Sequence, residues 1–173
     1  MSSRTSHILS VLSVLSVLCE RFSLKAAPAF YRSPIFLSAL ALGAAVWLVL
    51  PLLAVVQPLP WLQIFSLPFL VAVLWQPIVE ELLFRGCLQG WLFTHGWGRQ
   101  SFVGISIANL LTSVVFSGAH IATHSLPWAL SMLFPSLLFG ALRDRSGSVF
   151  PPLAMHIFYN AGYFLLTGGS SLV

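Results

Sequence analysis

The sequence EELLFR, residues 80–85, lies inside an otherwise apolar stretch that runs from Trp61 to Phe93. Its two adjacent glutamates are half of the four acidic residues in the 173-residue chain. A charge at the centre of a bilayer costs at least about 2.5–3.5 kcal/mol, so such groups face a bundle interior or a wet cavity and usually serve a function there. The stretch therefore predicts a membrane protein with a polar site in its core.

The composition supports this prediction. Hydrophobic residues make up 58% of the chain and charged residues 7%, whereas a soluble domain has about 25% charged residues. We therefore expect an all-α fold, a polytopic transmembrane helical bundle with about five or six membrane helices. The net charge of +4 rests on few residues and does not indicate a nucleic-acid partner. The lipid bilayer is the expected partner, and the composition does not indicate an oligomeric state.

Three segments are predicted along the chain. Residues 1–33 form a basic N-terminal segment that contains a short apolar helix, residues 8–18. This helix is too short for a comfortable span, so it lies on the membrane, forms an uncleaved first span or is a cleaved signal peptide. Residues 34–167 form the membrane-embedded core, and residues 168–173 form a flexible tail.

Hydropathy and turn residues divide the core into five spans. The second is too long for one straight crossing and contains Pro68 and Pro77, and the fourth is short and broken by Pro135. We read residues 143–147 as a charged turn. The predicted spans are Pro34–Val56, Trp61–Phe93, Phe102–Ala122, Leu126–Leu142 and Val149–Leu166.

The loop charges predict an orientation. Basic residues precede the first span and follow the second and fourth, while the loops at 57–60 and 123–126 contain no Lys or Arg. By the positive-inside rule the basic loops are cytoplasmic and the C-terminus lies outside. The basic residues concerned are Arg21, Lys25, Arg32, Arg99, Arg143 and Arg145.

Two further polar clusters, FSGAH at 116–120 and HIFYN at 156–160, lie within other predicted spans. In each of the three clusters two side chains four positions apart share one helical face: Glu81 with Arg85, Phe116 with His120, and His156 with Asn160. Single polar residues often only join helices. Three clusters on three spans favour a common site instead.

The two glutamates need not share a task. Successive residues of an α-helix point about 100° apart, so Arg85 can neutralise Glu81 while Glu80 faces a cavity. The assumed spans place His120 about 10 Å or more from Glu80 and His156 in depth. Convergence of the three side chains therefore requires tilted helices or different helix ends.

Other polar residues receive weaker interpretations. His124 can form a metal-binding pair with His120 but more simply ends its span, and Asn109 supports the site or joins two helices. No function is assigned to His7 or His95. Cys19 and Cys87 read as small apolar residues.

The pattern Glu-Glu-x-x-x-Arg, Phe-x-x-x-His and His-x-x-x-Asn, in this order, resembles the three motifs of the CPBP family (CAAX-protease and bacteriocin-processing, or Abi). This family includes the Rce1-like prenyl-protein endopeptidases. The resemblance covers residues 61–167. It implies an intramembrane endopeptidase that cleaves a peptide bond near the C-terminus of a membrane-associated protein or peptide with a prenylated or hydrophobic tail. The short chain fits an integral protein of the bacterial inner membrane.

The resemblance also implies residue roles. Glu80 and His120 would hold and activate a water, His156 and Asn160 would stabilise the oxyanion, and Arg85 would orient or neutralise Glu81. Two mechanisms remain open: a glutamate-dependent one without a cofactor, which we favour, and a metallo-type one with zinc on Glu80, His120 and His156. The sequence lacks His-Glu-x-x-His, the strong zinc signature.

Two function classes without proteolysis remain open. One is a non-enzymatic membrane immunity or assembly protein, in which the polar clusters join helices. The other is a small proton-coupled transporter that uses Glu80 and the histidines as a relay. The absence of an inverted repeat in the sequence counts against the transporter.

Overall fold

The computed structural model describes residues 22–53 and 58–168 of the chain. Most of these residues are helical, which confirms the predicted all-α class. Short 3-10 turns cover Phe30–Arg32, Trp61–Phe65 and Trp97–Arg99. The helices are α1 (Pro34–Leu53), α2 (Leu67–Thr94), α3 (Ile107–His120), α4 (Leu126–Ser131), α5 (Leu133–Ser146) and α6 (Phe150–Thr167).

Helix α2 is continuous over 28 residues but is not uniformly α-helical. It contains two π-helical stretches, Val71–Trp75 and Glu81–Leu88. In a π-helical turn an amide bonds to the carbonyl five residues earlier, and such turns are frequent at functional sites. The second stretch contains both Glu81 and Arg85, so the most polar part of α2 lies in its most irregular part.

A small hairpin precedes α3. Strands β1 (Ser101–Phe102) and β2 (Ile105–Ser106) pair antiparallel. The Ser106 hydroxyl then accepts a hydrogen bond of 2.9 Å from the Asn109 amide and caps the first turn of α3. The third predicted span, which began at Phe102, was therefore wrong at its start, because the chain turns back on itself before the helix begins.

Interhelical hydrogen bonds give the relative directions of the helices. Asn109 donates to the Leu137 carbonyl and Ser117 donates to the Ala129 carbonyl. The later residue of α3 thus bonds to the earlier residue of the α4–α5 segment. Helix α3 therefore runs antiparallel to α4 and α5.

Helices α2 and α5 run in the same direction. Arg85 bonds to Ser136, and Gln89, one turn further along α2, bonds to the Gly140 carbonyl, one turn further along α5. Helix α6 runs opposite to them, and the Tyr159 hydroxyl on α6 donates to the Ala39 carbonyl on α1. The helices thus form one bundle, with α1 packed against the outside of α6.

The basic segments meet at one end of this bundle. Arg143 on α5 donates to the Ser23 hydroxyl, the Ser148 hydroxyl donates to the Lys25 carbonyl, and Ser106 bonds to Asp144. At the opposite end the Leu59 amide donates to the Leu165 carbonyl. The orientation of the bundle in the membrane stays a prediction. Residues 22–33, predicted as part of a separate N-terminal segment, pack onto the core.

The bundle is polar inside and apolar outside. Leu48, Leu52 and Phe134 are each more than 75% exposed. Arg85, Gln89, Asn109, Thr112, Ser113 and Ser136 are fully buried. Such an exterior is stable in hydrocarbon and not in water. Many of the buried polar side chains bond to backbone carbonyls or to one another, as Arg85, Gln89 and Asn109 do.

Three helices in the described part of the chain are long and apolar enough to cross a membrane: Pro34–Leu52, Leu67–Thr94 and Leu126–Ser146. Helix α3 is apolar but shorter, and α6 has 18 residues. The predicted spans thus correspond to helices, while the total of five or six crossings stays a prediction. The predicted short helix at residues 8–18 and most of the predicted tail lie outside the described residues.

Two predicted boundaries around the fourth span were wrong. The break falls at Met132, between α4 and α5, and Pro135 lies in the first turn of α5, where a missing N–H costs little. Residues 143–146, read as a charged turn, form the last turn of α5, which ends at Gly147 with φ 66°. Arginine near a helix C-terminus is favoured by the helix dipole, which explains the longer helix.

The contact between α3 and α5 at Gly140 generates a test. A methyl group on Gly140 would overlap the side-chain amide of Asn109, which bonds to the Leu137 carbonyl. We expect Gly140→Ala to lower the free energy of unfolding by about 1–3 kcal/mol, measured by thermal unfolding in detergent. The control is Gly118→Ala on exposed α3 surface, where nothing lies within 4 Å. Equal melting temperatures for the two variants would contradict the packing described.

Candidate active site

Glu81 is the centre of a buried charge cluster. Its side chain is fully buried, with one carboxylate oxygen 2.9 Å from Nδ1 of His156 and the other 3.5 Å from Nε of Arg85. The histidine comes from α6 and the arginine from the next turn of α2. A buried carboxylate is tolerated only when it is paired and hydrogen-bonded, and these two partners meet that need.

Arg85 extends the cluster to α5. Its Nη2 donates to the hydroxyl and the carbonyl of Ser136, at 3.0 and 3.2 Å. Its guanidinium lies 5.1 Å from the ring centroid of Phe116 on α3, a cation–π distance. Arg85 therefore contacts two surrounding helices, α3 and α5, as well as Glu81 on its own helix.

His156 lies between the two glutamates. Its Nδ1 faces Glu81 at 2.9 Å, and its Nε2 lies 3.6 Å from a carboxylate oxygen of Glu80. A carboxylate can only accept, so Nδ1 carries a hydrogen. The 3.6 Å contact is longer than a hydrogen bond, so His156 is hydrogen-bonded to Glu81 and faces Glu80 without a direct bond.

Glu80 and Glu81 have different surroundings, as their position on the helix predicted. The Glu80 side chain is 23% exposed, against 1% for Glu81. Glu80 interacts electrostatically with both His120 and His156. Of the two carboxylates, only Glu80 is accessible to a water or a substrate.

His120 is half-buried at the end of α3. Its Nδ1 lies 2.8 Å from the Phe116 carbonyl. Because a carbonyl can only accept, Nδ1 is the donor, and in the neutral ring Nε2 keeps its lone pair. His120 is thus prepared to accept a proton or a hydrogen bond at Nε2.

Aromatic rings hold the two histidines in place. The Phe116 ring contacts His120 and His156, with centroids 4.7 and 6.1 Å away. Phe139 on α5 stacks on His156, with centroids 5.0 Å apart. The imidazole of His156 therefore contacts two aromatic rings, one stacked and one edge-on.

Asn160 lies one turn beyond His156 on α6. Its Nδ2 donates to the Ala72 carbonyl on α2 at 2.9 Å. The side chain is thus near the cluster and on the same helical face as His156, but one of its two N–H groups bonds to the α2 backbone. Nothing in the sequence indicated this backbone partner.

The predicted mismatch in depth between Glu80 and His120 was wrong. Glu80 lies 14 residues before Thr94, and His120 lies 13 residues after Ile107. At 1.5 Å per residue each is about 20 Å from the end that α2 and α3 share. The later start of α3, after the hairpin, removes the discrepancy.

The structure also shows site residues that the sequence reading missed. Ser136 accepts from Arg85, and Phe139 stacks on His156. A weak signal was present, because Ser136 and Gly140 are small residues four apart in an apolar helix, a pattern of close helix packing. It could have indicated a contact face but not its partner.

The histidines and glutamates do not form a ready metal site. Within residues 22–53 and 58–168, no group of three or more His, Cys, Asp or Glu side chains is arranged to hold a metal ion. Nδ1 of His156 bonds to Glu81 and Nδ1 of His120 bonds to the Phe116 carbonyl, which is also how metal-ligating histidines are held. If a metal were bound, Glu80, His120 and His156 would be its ligands, and no step below uses a metal.

Comparison with known proteins agrees with the geometry. No curated protein and no solved structure matches the chain. A family model described as type II CAAX prenyl endopeptidase Rce1-like matches residues 60–162, a range that includes every residue of the cluster. Together with the apolar helices, this match makes the chain an integral membrane protein. The chain belongs to the Rce1-like family of type II CAAX prenyl endopeptidases.

Proposed function

We propose that the protein is an intramembrane endopeptidase that hydrolyses a peptide bond with a water activated by Glu80 and His120. The observation that carries the proposal is the placement of His156 between two glutamates, only one of which is accessible. This arrangement separates a structural carboxylate, Glu81, from a reactive one, Glu80.

The proposed charge distribution makes Glu80 the base. In it Glu80 and Glu81 carry two negative charges, and Arg85 and a protonated His156 carry two positive charges. With this distribution the cluster is neutral and Glu80 is ionised, so Glu80 can take a proton from water as the oxygen attacks the carbonyl carbon. When the C–N bond breaks, the same proton passes from Glu80 to the amine that leaves.

His120 completes the water site. Its Nε2 lone pair can accept the second hydrogen bond of the water whose proton goes to Glu80. A water held by two acceptors has its oxygen lone pair directed away from both, toward the substrate carbonyl. Positioning of this kind lowers the entropic cost of the attack.

Donors for the oxyanion come from α6. In the neutral cluster Nε2 of His156 carries a hydrogen, and Asn160 has a second N–H in addition to the one that bonds to Ala72. Removal of one oxyanion donor typically costs about 3–4 kcal/mol in transition-state stabilisation. We assign His156 as the main donor and Asn160 as the second.

We propose that the substrate is a membrane-associated protein or peptide cleaved near a C-terminus that is prenylated or hydrophobic. The apolar exterior and the match to type II CAAX prenyl endopeptidases support a lipid-embedded substrate. We further propose a location in the bacterial inner membrane, with the basic end of the bundle in the cytoplasm.

Glu80 provides the direct test. We expect Glu80→Gln to lower kcat by at least about 100-fold, because the amide cannot accept the proton of water, while the thermal unfolding temperature stays near that of the unchanged protein. Cleavage is followed by mass spectrometry in proteoliposomes, with a farnesylated CAAX peptide and an unprenylated peptide with a hydrophobic C-terminal tail. The matched control is Glu20→Gln. Cleavage at the original rate in Glu80→Gln would end the proposal.

Arg85 generates a second prediction, on stability. Arg85→Ala leaves the Glu81 carboxylate buried without its cation, and breaking a buried pair costs about 3–5 kcal/mol. We expect a large drop in the unfolding temperature, and a smaller drop for Arg85→Lys, which keeps the charge but loses the planar contact with Phe116. The control is Arg99→Ala at an exposed position. Similar unfolding of Arg85→Ala and Arg99→Ala would contradict the role of Arg85.

The glutamate-dependent mechanism makes a third prediction. Cleavage should keep its rate after incubation with 1,10-phenanthroline, and elemental analysis of the active protein should find less than one zinc per ten chains. Loss of cleavage with the chelator, and recovery on addition of zinc, would replace this mechanism with the metallo-type alternative.

A further inference from the structure

The first π-helical stretch of α2 contains a carbonyl that its own helix cannot satisfy. The Gln76 amide donates to the Val71 carbonyl, five residues earlier. In the π-helical hydrogen-bond pattern, the Ala72 carbonyl would accept from the amide of residue 77, but Pro77 has no N–H. In the α-helical pattern it would accept from the Gln76 amide, which already donates to the Val71 carbonyl.

The Asn160 side chain supplies the missing donor. Its Nδ2 lies 2.9 Å from the Ala72 oxygen, and both Ala72 and Pro77 are buried. An unsatisfied carbonyl at a buried position of a membrane bundle is costly. The proline and the asparagine are therefore complementary, although they lie on different helices.

This bond forms the second of two connections between α6 and α2. The first is His156 with Glu80 and Glu81, and Asn160 follows one turn along α6. Together they fix the rotation of α2 about its axis.

A π-helical turn contains one additional residue, so its relaxation to an α-helix would rotate the following residues by about 100° about the helix axis. Glu80, three residues after Pro77, would then leave the site.

We propose that Asn160 is a positioning residue that holds the Ala72 carbonyl left free by Pro77, and thereby keeps the π-helical turn that directs Glu80 into the site. The part of this proposal that concerns Glu80 rests on the proposed function. The part that concerns the backbone does not, because it can be measured as stability alone.

The test is a double-mutant cycle. Asn160→Ala should lower the unfolding temperature by about 5 °C and lower kcat more than it changes KM. Pro77→Ala restores an N–H at the position that the Ala72 carbonyl requires. The double variant Asn160→Ala/Pro77→Ala should therefore recover most of the lost unfolding temperature, and at least about tenfold of the lost kcat.

The matched control is Pro68→Ala. Pro68 is in the same helix, but it lies in the first turn and is exposed, where a missing N–H has no consequence. Pro68→Ala should restore neither the unfolding temperature nor the kcat that Asn160→Ala loses. A cycle in which Pro77→Ala restores neither quantity, or restores no more than Pro68→Ala does, would overturn the proposal.

The two readouts separate this proposal from the proposed function. Recovery of the unfolding temperature without any recovery of kcat would overturn the effect on Glu80 and leave Asn160 as an oxyanion donor and a stabilising residue. If no peptide is cleaved by any variant, the proposed function fails, while the stability cycle still decides whether Asn160 and Pro77 act on the same carbonyl.

Discussion

The buried carboxylate of Glu81 has to be neutralised, and this requirement organises the core. One cation, Arg85, comes from the next turn of the same helix, and the other partner, His156, comes from α6. Arg85 is itself buried and takes its hydrogen-bond acceptors from Ser136 on α5. A single negative charge thus joins three helices. Because the surrounding medium is lipid, water cannot take the place of any of these partners.

The same constraint separates Glu80 from Glu81. Arg85 and Nδ1 of His156 both contact Glu81. Glu80 lies beside Nε2 of His156 and interacts electrostatically with His120. One carboxylate is therefore stabilised at the expense of accessibility, and its neighbour remains exposed. In the proposed mechanism the exposed carboxylate accepts the proton, which a fully paired carboxylate could not do.

The features that the sequence predicted correctly depend on residues close together in the chain. The pairing of Glu81 with Arg85 follows from a spacing of four, and the helices follow from hydropathy. The start of α3 could have been read from Ser106, a good N-cap residue. The first π-helical stretch, Val71–Trp75, could not, because the donor to its Ala72 carbonyl is Asn160, which lies 88 positions away. The partnership of Arg85 with Ser136 has the same non-local origin.

The length of α3 connects the fold to the chemistry. Its 14 residues span about 21 Å, less than the roughly 30 Å of a bilayer core. Its first turn is at the basic end, beside Asp144, so its last turn ends inside the depth of the hydrocarbon. Backbone that is not helical is tolerated there only where it is buried in protein or lines a water-filled cavity, and residues 121–125 are exposed. The end of α3 is thus the point at which the proposed mechanism requires water, and His120 is the last residue of that helix.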